Sequence, residues 1–203
     1  MLTIFSLIVL FFSIVIHEIA HGSVALHLGD STAKLSGRLT LNPLKHIDPF
    51  GTVILPLILV MMGSPFIVGW AKPVPINPFN FRDQKWGILK VSAAGPATNF
   101  LVALIFGLAI RFFSLPEQVL TLFGVIVLYN FAWGLFNLLP FPPFDGSHIL
   151  FTFLSKRFDN LKAFLYQYHL FIIVFFIVLG GLTLIFWGAG FLFTIVTGHT
   201  LII

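Results

Sequence analysis

The sequence predicts an all-α polytopic membrane protein, with about four full transmembrane helices, one re-entrant or broken hydrophobic segment, and short β-hairpin or strand elements. Three observations carry this prediction. Of 203 residues, 58% are hydrophobic and only 9% charged, against about 25% charged in an ordinary soluble domain; a water-soluble fold could not hide that much apolar surface. Apolar runs recur at the length of about 20 residues that crosses the hydrocarbon core. Lys and Arg gather in the connections between those runs, the pattern expected of topology signals.

Four segments reach spanning length: roughly 2–28, 88–113, 118–140 and 165–196. The first begins without a basic n-region or a small-residue cleavage site, so Met1–Ile16 is expected to stay in the mature protein. The fourth carries Gly180-Gly181 and reads either as one span or as a span followed by a shorter interfacial helix. A fifth stretch, 50–69, is interrupted by Pro56, Gly63 and Pro65. Residues 29–49 hold turn formers and a short alternating run around Leu35–Leu41, which predicts a small β-hairpin. Residues 70–80 read WAKPVPINPFN; the spaced prolines forbid helix and predict an extended, strand-like path. The chain reads as one membrane-embedded domain over 1–203, with a catalytic core of about 1–165 and a C-terminal hydrophobic segment at 165–196.

Charge sets the topology. Lys34, Arg38 and Lys45 lie in one connection, Lys72, Arg82, Lys85 and Lys90 in or just after the next, and Lys156, Arg157 and Lys162 in a third, with Arg111 alone outside them. All three basic connections are expected in the cytoplasm, which requires 50–69 to enter the membrane and return; a single crossing by 50–69 is the alternative that its length allows. The net charge of +4 does not point to nucleic acid, because the basic residues are few and scattered between apolar runs. There are no cysteines, so thiolate ligation, disulfides and cysteine catalysis are excluded.

The strongest chemical signal is His17-Glu18-Ile19-Ala20-His21. Positions i and i+4 share a helix face, so His17 and His21 can hold one zinc ion. Glu18 beside them can act as general base on a zinc-bound water, whose pKa zinc lowers to about 7. Ionisable residues inside an apolar helix are costly and by default functional.

A catalytic zinc keeps three protein ligands and one open position. The third must come from elsewhere. Glu117, the only other glutamate, lies in the turn away from the basic connections; His27, His46, His148, His169 and His199 are further candidates. Asp145 is the better one. It follows Asn137-Leu-Leu-Pro-Phe-Pro-Pro-Phe, whose prolines break a helix at membrane depth, and irregular backbone is tolerated there only when buried in protein or lining a cavity. His17 lies about 24 Å along a helix entering from outside, so His17 and Asp145 can meet in the cytoplasmic half of the bilayer.

These blocks resemble the site-2 protease family of intramembrane metalloproteases. HEIAH at 17–21, Gly95-Pro96-Ala97-Thr98-Asn99 and NLLPFPPFDG at 137–146 match in order and spacing, over about 1–165. Phe144 stands where Leu is usual. Gly69–Pro78 and Asn42–Pro49 look like blocks of the shortest members, without regulatory domains. The resemblance implies one Zn2+ per chain with Asp145 as third ligand, Glu18 as base, and Asn137 positioning substrate or stabilising the oxyanion. It also implies cleavage of membrane proteins in or near their transmembrane segments within the lipid bilayer. The expected location is the prokaryotic cytoplasmic membrane, with the site opening toward the cytoplasm.

Bland readings accompany several residues. His46 reads as a satisfied loop histidine, His148 as a neighbour of the site, and Asn99 as a helix-bonding or ligand-orienting residue. The segments 35–41 and 70–78 are expected to receive an extended substrate by strand addition. The rival to proteolysis is an inactive membrane metal-binding scaffold or a transporter, but no internal repeat of the transporter kind is visible. A regulatory membrane partner is left open.

Overall fold

An uninterrupted apolar run gives α1 (Leu2–His27) its length. Its buried face is a stripe at every fourth residue, Val9, Ser13, His17, His21 and Ala25, so the two histidines lie on the side that packs into the protein. The computed structural model describes residues 2–62 and 70–200. After α1 the chain turns at Gly29 (φ 111°) into a short helix α2 (Thr32–Leu35), a 3-10 turn at Pro43–Lys45 and a π-helical turn at Pro49–Ile54 leading into α3 (Leu55–Met61). Asp48 caps that turn, accepting from Phe50 N and Gly51 N at 3.0 and 2.7 Å.

α4 (Gln84–Phe112) opens on Asp83, whose carboxylate caps Trp86 N at 3.1 Å. Its buried face also repeats every fourth residue: Gly87, Val91, Gly95, Asn99, Ala103, Gly107. Small residues along it let α1 on one side, and α5 and α9 on another, approach closely. α5 (Glu117–Asn137) returns antiparallel, and the Pro-rich 138–144 link leads to α6 (Asp145–Phe153), which packs back on α4. Then come α7 (Asp159–Gln167), α8 (His169–Val178) and α9 (Gly181–Thr197). An apolar core of Ala103, Ile110, Val127, Leu128, Phe131, Ala189 and Phe193 joins α4, α5 and α9.

α1, α4 and α5 are long and apolar enough to cross a membrane, and residues 156–178 make a fourth only if a 68° bend is counted within one span. The protein is integral to the membrane. This corrects the expectation of about four full spans. Residues 165–196 do not form one helix: Gly180 adopts a left-handed φ of 83°, which ends α8 and starts α9, a helix of 17 residues.

The expected strands are also corrected. Among the described residues no strand forms. Of the alternating run predicted as a hairpin, Leu35 closes α2, whose first turn Asp30 starts by accepting from Thr32 N and Thr32 Oγ1 at 3.1 and 2.5 Å, and residues 36–41 follow as turns and bends. Residues 70–77 lie outside any helix and pair with no strand. As for the re-entrant stretch, Trp70 N donates to Gly51 O (3.2 Å) and Thr52 Oγ1 to Trp70 O (2.7 Å), which returns residue 70 to the start of the stretch. Residues 63–69 lie outside the described residues.

The segment 70–80 is instead a strap held by side chains and loops. Lys72 N donates to His46 O (2.9 Å), and Arg38 donates through one nitrogen to the carbonyls of Lys72 and Pro73 (2.5 and 3.2 Å). Asp30 is buried and receives Asn77 N and Asn80 Nδ2 at 2.7 and 2.8 Å. Burial pushes the Asp30 pKa up, but its bonds from Thr32, Asn77 and Asn80 outweigh that and hold it below the usual carboxylate range. The amides of Lys72 and Asn77 are thus occupied within the protein, as is that of Val74, which donates to Glu18 Oε2; Pro73, Pro75 and Pro78 have none. Those three donors are not open to pairing with an extended segment.

Candidate metal centre

His17 and His21 sit one turn apart on α1, and Asp145 is the first residue of α6. The structure brings these three together. His17 Nε2 and His21 Nε2 are 3.0 Å apart, and Asp145 Oδ2 lies 3.1 Å from the first and 3.2 Å from the second. Both histidines are buried. Among the described residues this is the group of His and acidic side chains able to share one ion.

Local sequence explains the convergence. A Cβ on Gly95 would stand 2.5 Å from His21 Nε2 and 2.6 Å from His17 Nε2, so α4 carries no side chain where the imidazoles meet it. A Cβ on Gly146 would collide with the carbonyls of Leu138 and Leu139. The Asp-Gly pair therefore lets α6 start against the end of α5, while Phe144 is buried on Phe136 with ring centroids 4.5 Å apart.

The protons of the imidazoles are fixed by their other nitrogens. His21 Nδ1 faces Val91 O at 2.6 Å, and a carbonyl only accepts. His17 Nδ1 faces Asn99 Oδ1 at 2.7 Å. Asn99 Nδ2 is committed as donor to Ser13 O and Asn130 Oδ1, at 3.1 and 2.9 Å, so its oxygen is the atom turned to His17. Both Nδ1 atoms therefore carry the proton, and in the neutral rings both Nε2 atoms present lone pairs.

This arrangement fits zinc. Two lone-pair nitrogens face each other at 3.0 Å, and Asp145 Oδ2 is buried beside them without a well-aligned hydrogen bond. Three atoms able to donate electron pairs, converging within 3.2 Å of one another, suit a cation. Tetrahedral zinc with bonds of about 2.0–2.1 Å sets its ligands about 3.3 Å apart, close to the observed triangle.

Glu18 is half-buried, and its Oε2 accepts from Val74 N at 2.8 Å. Asn137, expected to face substrate, is the last residue of α5 and donates through Nδ2 to Trp133 O at 3.0 Å. The alternative third ligands stand elsewhere. Glu117 opens α5 in its first turn. His27 is exposed and His169 half-buried, and they face carbonyls of Ser23 and Tyr166; His199 lies past α9. His46 is fully buried in its loop, with Nε2 on Thr40 O at 2.9 Å.

A cavity of about 240 Å³ opens on the triangle. His21, Asp145, His148 and Ser92 supply its polar wall, with Ile76, Phe81 and Ile88 opposite. A second hollow of about 330 Å³, between Phe141 and the α8–α9 elbow, holds no titratable group. Asn130 is the site residue that sequence reasoning missed. Its signal was one buried amide in an apolar helix, which many membrane helices carry without a site.

The sequence profile of peptidase family M50 matches residues 114–181, which include the Asp145 segment. YwhC of Bacillus subtilis, named as a candidate zinc metalloprotease, is 37% identical over 87% of this chain and 82% of its own. Rip2 of Mycolicibacterium smegmatis, named likewise, is 30% identical over 80% of this chain and 62% of its own. A zinc metalloprotease of Methanocaldococcus jannaschii is 28% identical over 77% of this chain. The match spans 36% of that archaeal protein's length, so the chain corresponds to part of these longer relatives. No solved structure matches the chain.

Proposed function

Because this chain belongs to peptidase family M50, the site-2 protease family of zinc metalloproteases, we propose that it hydrolyses peptide bonds in or near transmembrane segments of membrane proteins, with His17, His21 and Asp145 holding one zinc ion and Glu18 acting as general base. The observation that carries this reading is the triangle of His17 Nε2, His21 Nε2 and Asp145 Oδ2 on helices built for a bilayer.

When bound there, zinc supplies Lewis acidity, acidifying a water and polarising the scissile carbonyl. The chain's own residues do the rest. Asn99 Oδ1 and Val91 O orient the two imidazoles. The Val74 amide holds Glu18 Oε2, which fixes the carboxylate that takes a proton from the attacking water and returns it to the leaving amine. The cavity beside His21 and Asp145 gives the substrate chain a place to lie, with Ile76 and Phe81 excluding bulk water. A substrate helix must unwind first, because its carbonyls are occupied by its own hydrogen bonds. Asn137 is assigned to substrate positioning through its amide oxygen, its Nδ2 being tied to α5.

The charge pattern supports a site opening to the cytoplasm: Arg38, Lys72, Arg82, Lys85 and Lys90 all lie in or beside the strap and the start of α4. The prokaryotic relatives agree with a cell-membrane location.

The test is reconstitution in liposomes with a single-span membrane protein as substrate. The wild type cleaves it and Glu18→Gln retains zinc but loses cleavage by at least about 10³-fold, the scale of a lost general base. Normal cleavage by Glu18→Gln would overturn the assignment of the base.

A further inference from the structure

We propose that Asn130 of α5, acting through Asn99 of α4, is a positioning residue of the metal centre: a relay of two side-chain amides that fixes which nitrogen of His17 is left free for the ion. The inference rests on the metal-centre reading above and names a determinant one helix further out.

The relay begins at a group that has no choice. Ile126 O is a backbone carbonyl and only accepts, and Asn130 Nδ2 donates to it at 2.9 Å. Asn130 is therefore turned so that Oδ1 faces α4, where it accepts from Asn99 Nδ2 at 2.9 Å. The second Asn99 hydrogen goes to Ser13 O at 3.1 Å, another atom that only accepts. Asn99 Oδ1 is then left to accept from His17 Nδ1 at 2.7 Å. Each amide has one orientation, and the last bond in the chain requires the proton on Nδ1.

If Asn99 turned over, its NH2 would face His17. Nδ1 would have to accept, the ring proton would move to Nε2, and the lone pair aimed at His21 and Asp145 would be lost. Asn130 Oδ1 and Ser13 O together oppose that rotation. Asn99 is 0% exposed and Asn130 1%, so water cannot substitute for either partner.

The two histidines differ in this respect. His21 donates directly to the Val91 carbonyl, a backbone group that needs no orientation. Only His17 depends on a side chain that can turn over, and only His17 has a relay behind it.

A role confined to joining α4 and α5 would leave metal affinity untouched in a folded protein, so the test reads affinity and tautomer. Zinc is titrated into the purified full-length chain against a chelator. Asn99→Leu is expected to weaken binding by about 10–100-fold and Asn130→Leu by about tenfold, the range for residues that orient a ligand. Asn130→Asp is expected to stay within about threefold of wild type, because a buried carboxylic acid can donate to Ile126 O and accept from Asn99. Asn130→Leu should add nothing in the Asn99→Leu background.

Full affinity in folded Asn130→Leu overturns the relay, as do additive effects of the two substitutions. A measurement on the wild type needs no variant: nitrogen NMR of the labelled metal-free protein is expected to find Nδ1 of His17 protonated, and an unprotonated Nδ1 overturns the relay. Absence of zinc binding by the wild type would instead sink the underlying metal-centre reading.

Discussion

The Val74 amide nitrogen donates to Glu18 Oε2 at 2.8 Å, which ties the proline strap to the residue beside His17. Pro73 and Pro75 flank Val74 and have no N–H of their own. The strap therefore presents one donor at this point, and it is spent on Glu18.

Val74→Pro removes that donor and leaves the three ligand side chains in place. A hydrogen bond to a charged group contributes about 1.5–3 kcal/mol, so turnover is expected to fall by about 10–100-fold. Zinc content should not change. Parallel assays of cleavage and bound metal check this; equal loss of both would mean that the strap holds the whole site and not the carboxylate.

Gly95 and Gly107 lie on the same buried face of α4, but a Cβ would meet different neighbours. At Gly95 it would press on both imidazoles at 2.5–2.6 Å, and at Gly107 on Val196 Cγ1 at 2.7 Å. Gly95→Ala is expected to lower zinc affinity by more than about 100-fold, on the scale of ligand displacement. Gly107→Ala should lower thermal stability by about 1–3 kcal/mol, as overpacking does, and leave zinc bound. Melting curves with and without a chelator separate the two.

Asp30 makes strap docking sensitive to acid. Its folded pKa lies below the ordinary carboxylate value of about 3.9. Its contribution is therefore present above that value and is lost as pH falls through the lower, folded one. Hydrogen exchange at the Asn77 amide should accelerate below about pH 4, beyond the intrinsic dependence. In Asp30→Asn the added step should be absent, and exchange should be fast at neutral pH as well.

The parts of this protein that depend on local spacing were legible in the sequence. HEIAH sets two imidazoles on one helix face, and the prolines of 138–143 mark a helix break that delivers Asp145 to them. What depends on distant partners was not. The run around Leu35–Leu41 alternates like a strand, yet it forms turns and bends after α2, which Asp30 starts before holding Asn77, 47 positions later. Hydropathy alone reads 165–196 as one span because Gly180 is nearly neutral to it; the Gly180-Gly181 pair was the sign of a possible division, and the left-handed backbone of Gly180 splits the segment there. The role of Asn99 was visible only as a choice between bonding a helix and orienting a ligand; in the structure it does both, to Ser13 O and to His17. Asn130 offered no spacing signal at all.

Zinc-edge X-ray absorption on the purified chain tests the central claim most directly, because it reads the ligands and not a consequence of them. One zinc per chain is expected, bound by two imidazole nitrogens with the remaining ligands oxygen, at about 2.0–2.1 Å, and the two-imidazole signature should drop to one in His21→Ala. A shell with three imidazoles, or no stoichiometric zinc in the folded wild type, would contradict the assignment of His17, His21 and Asp145.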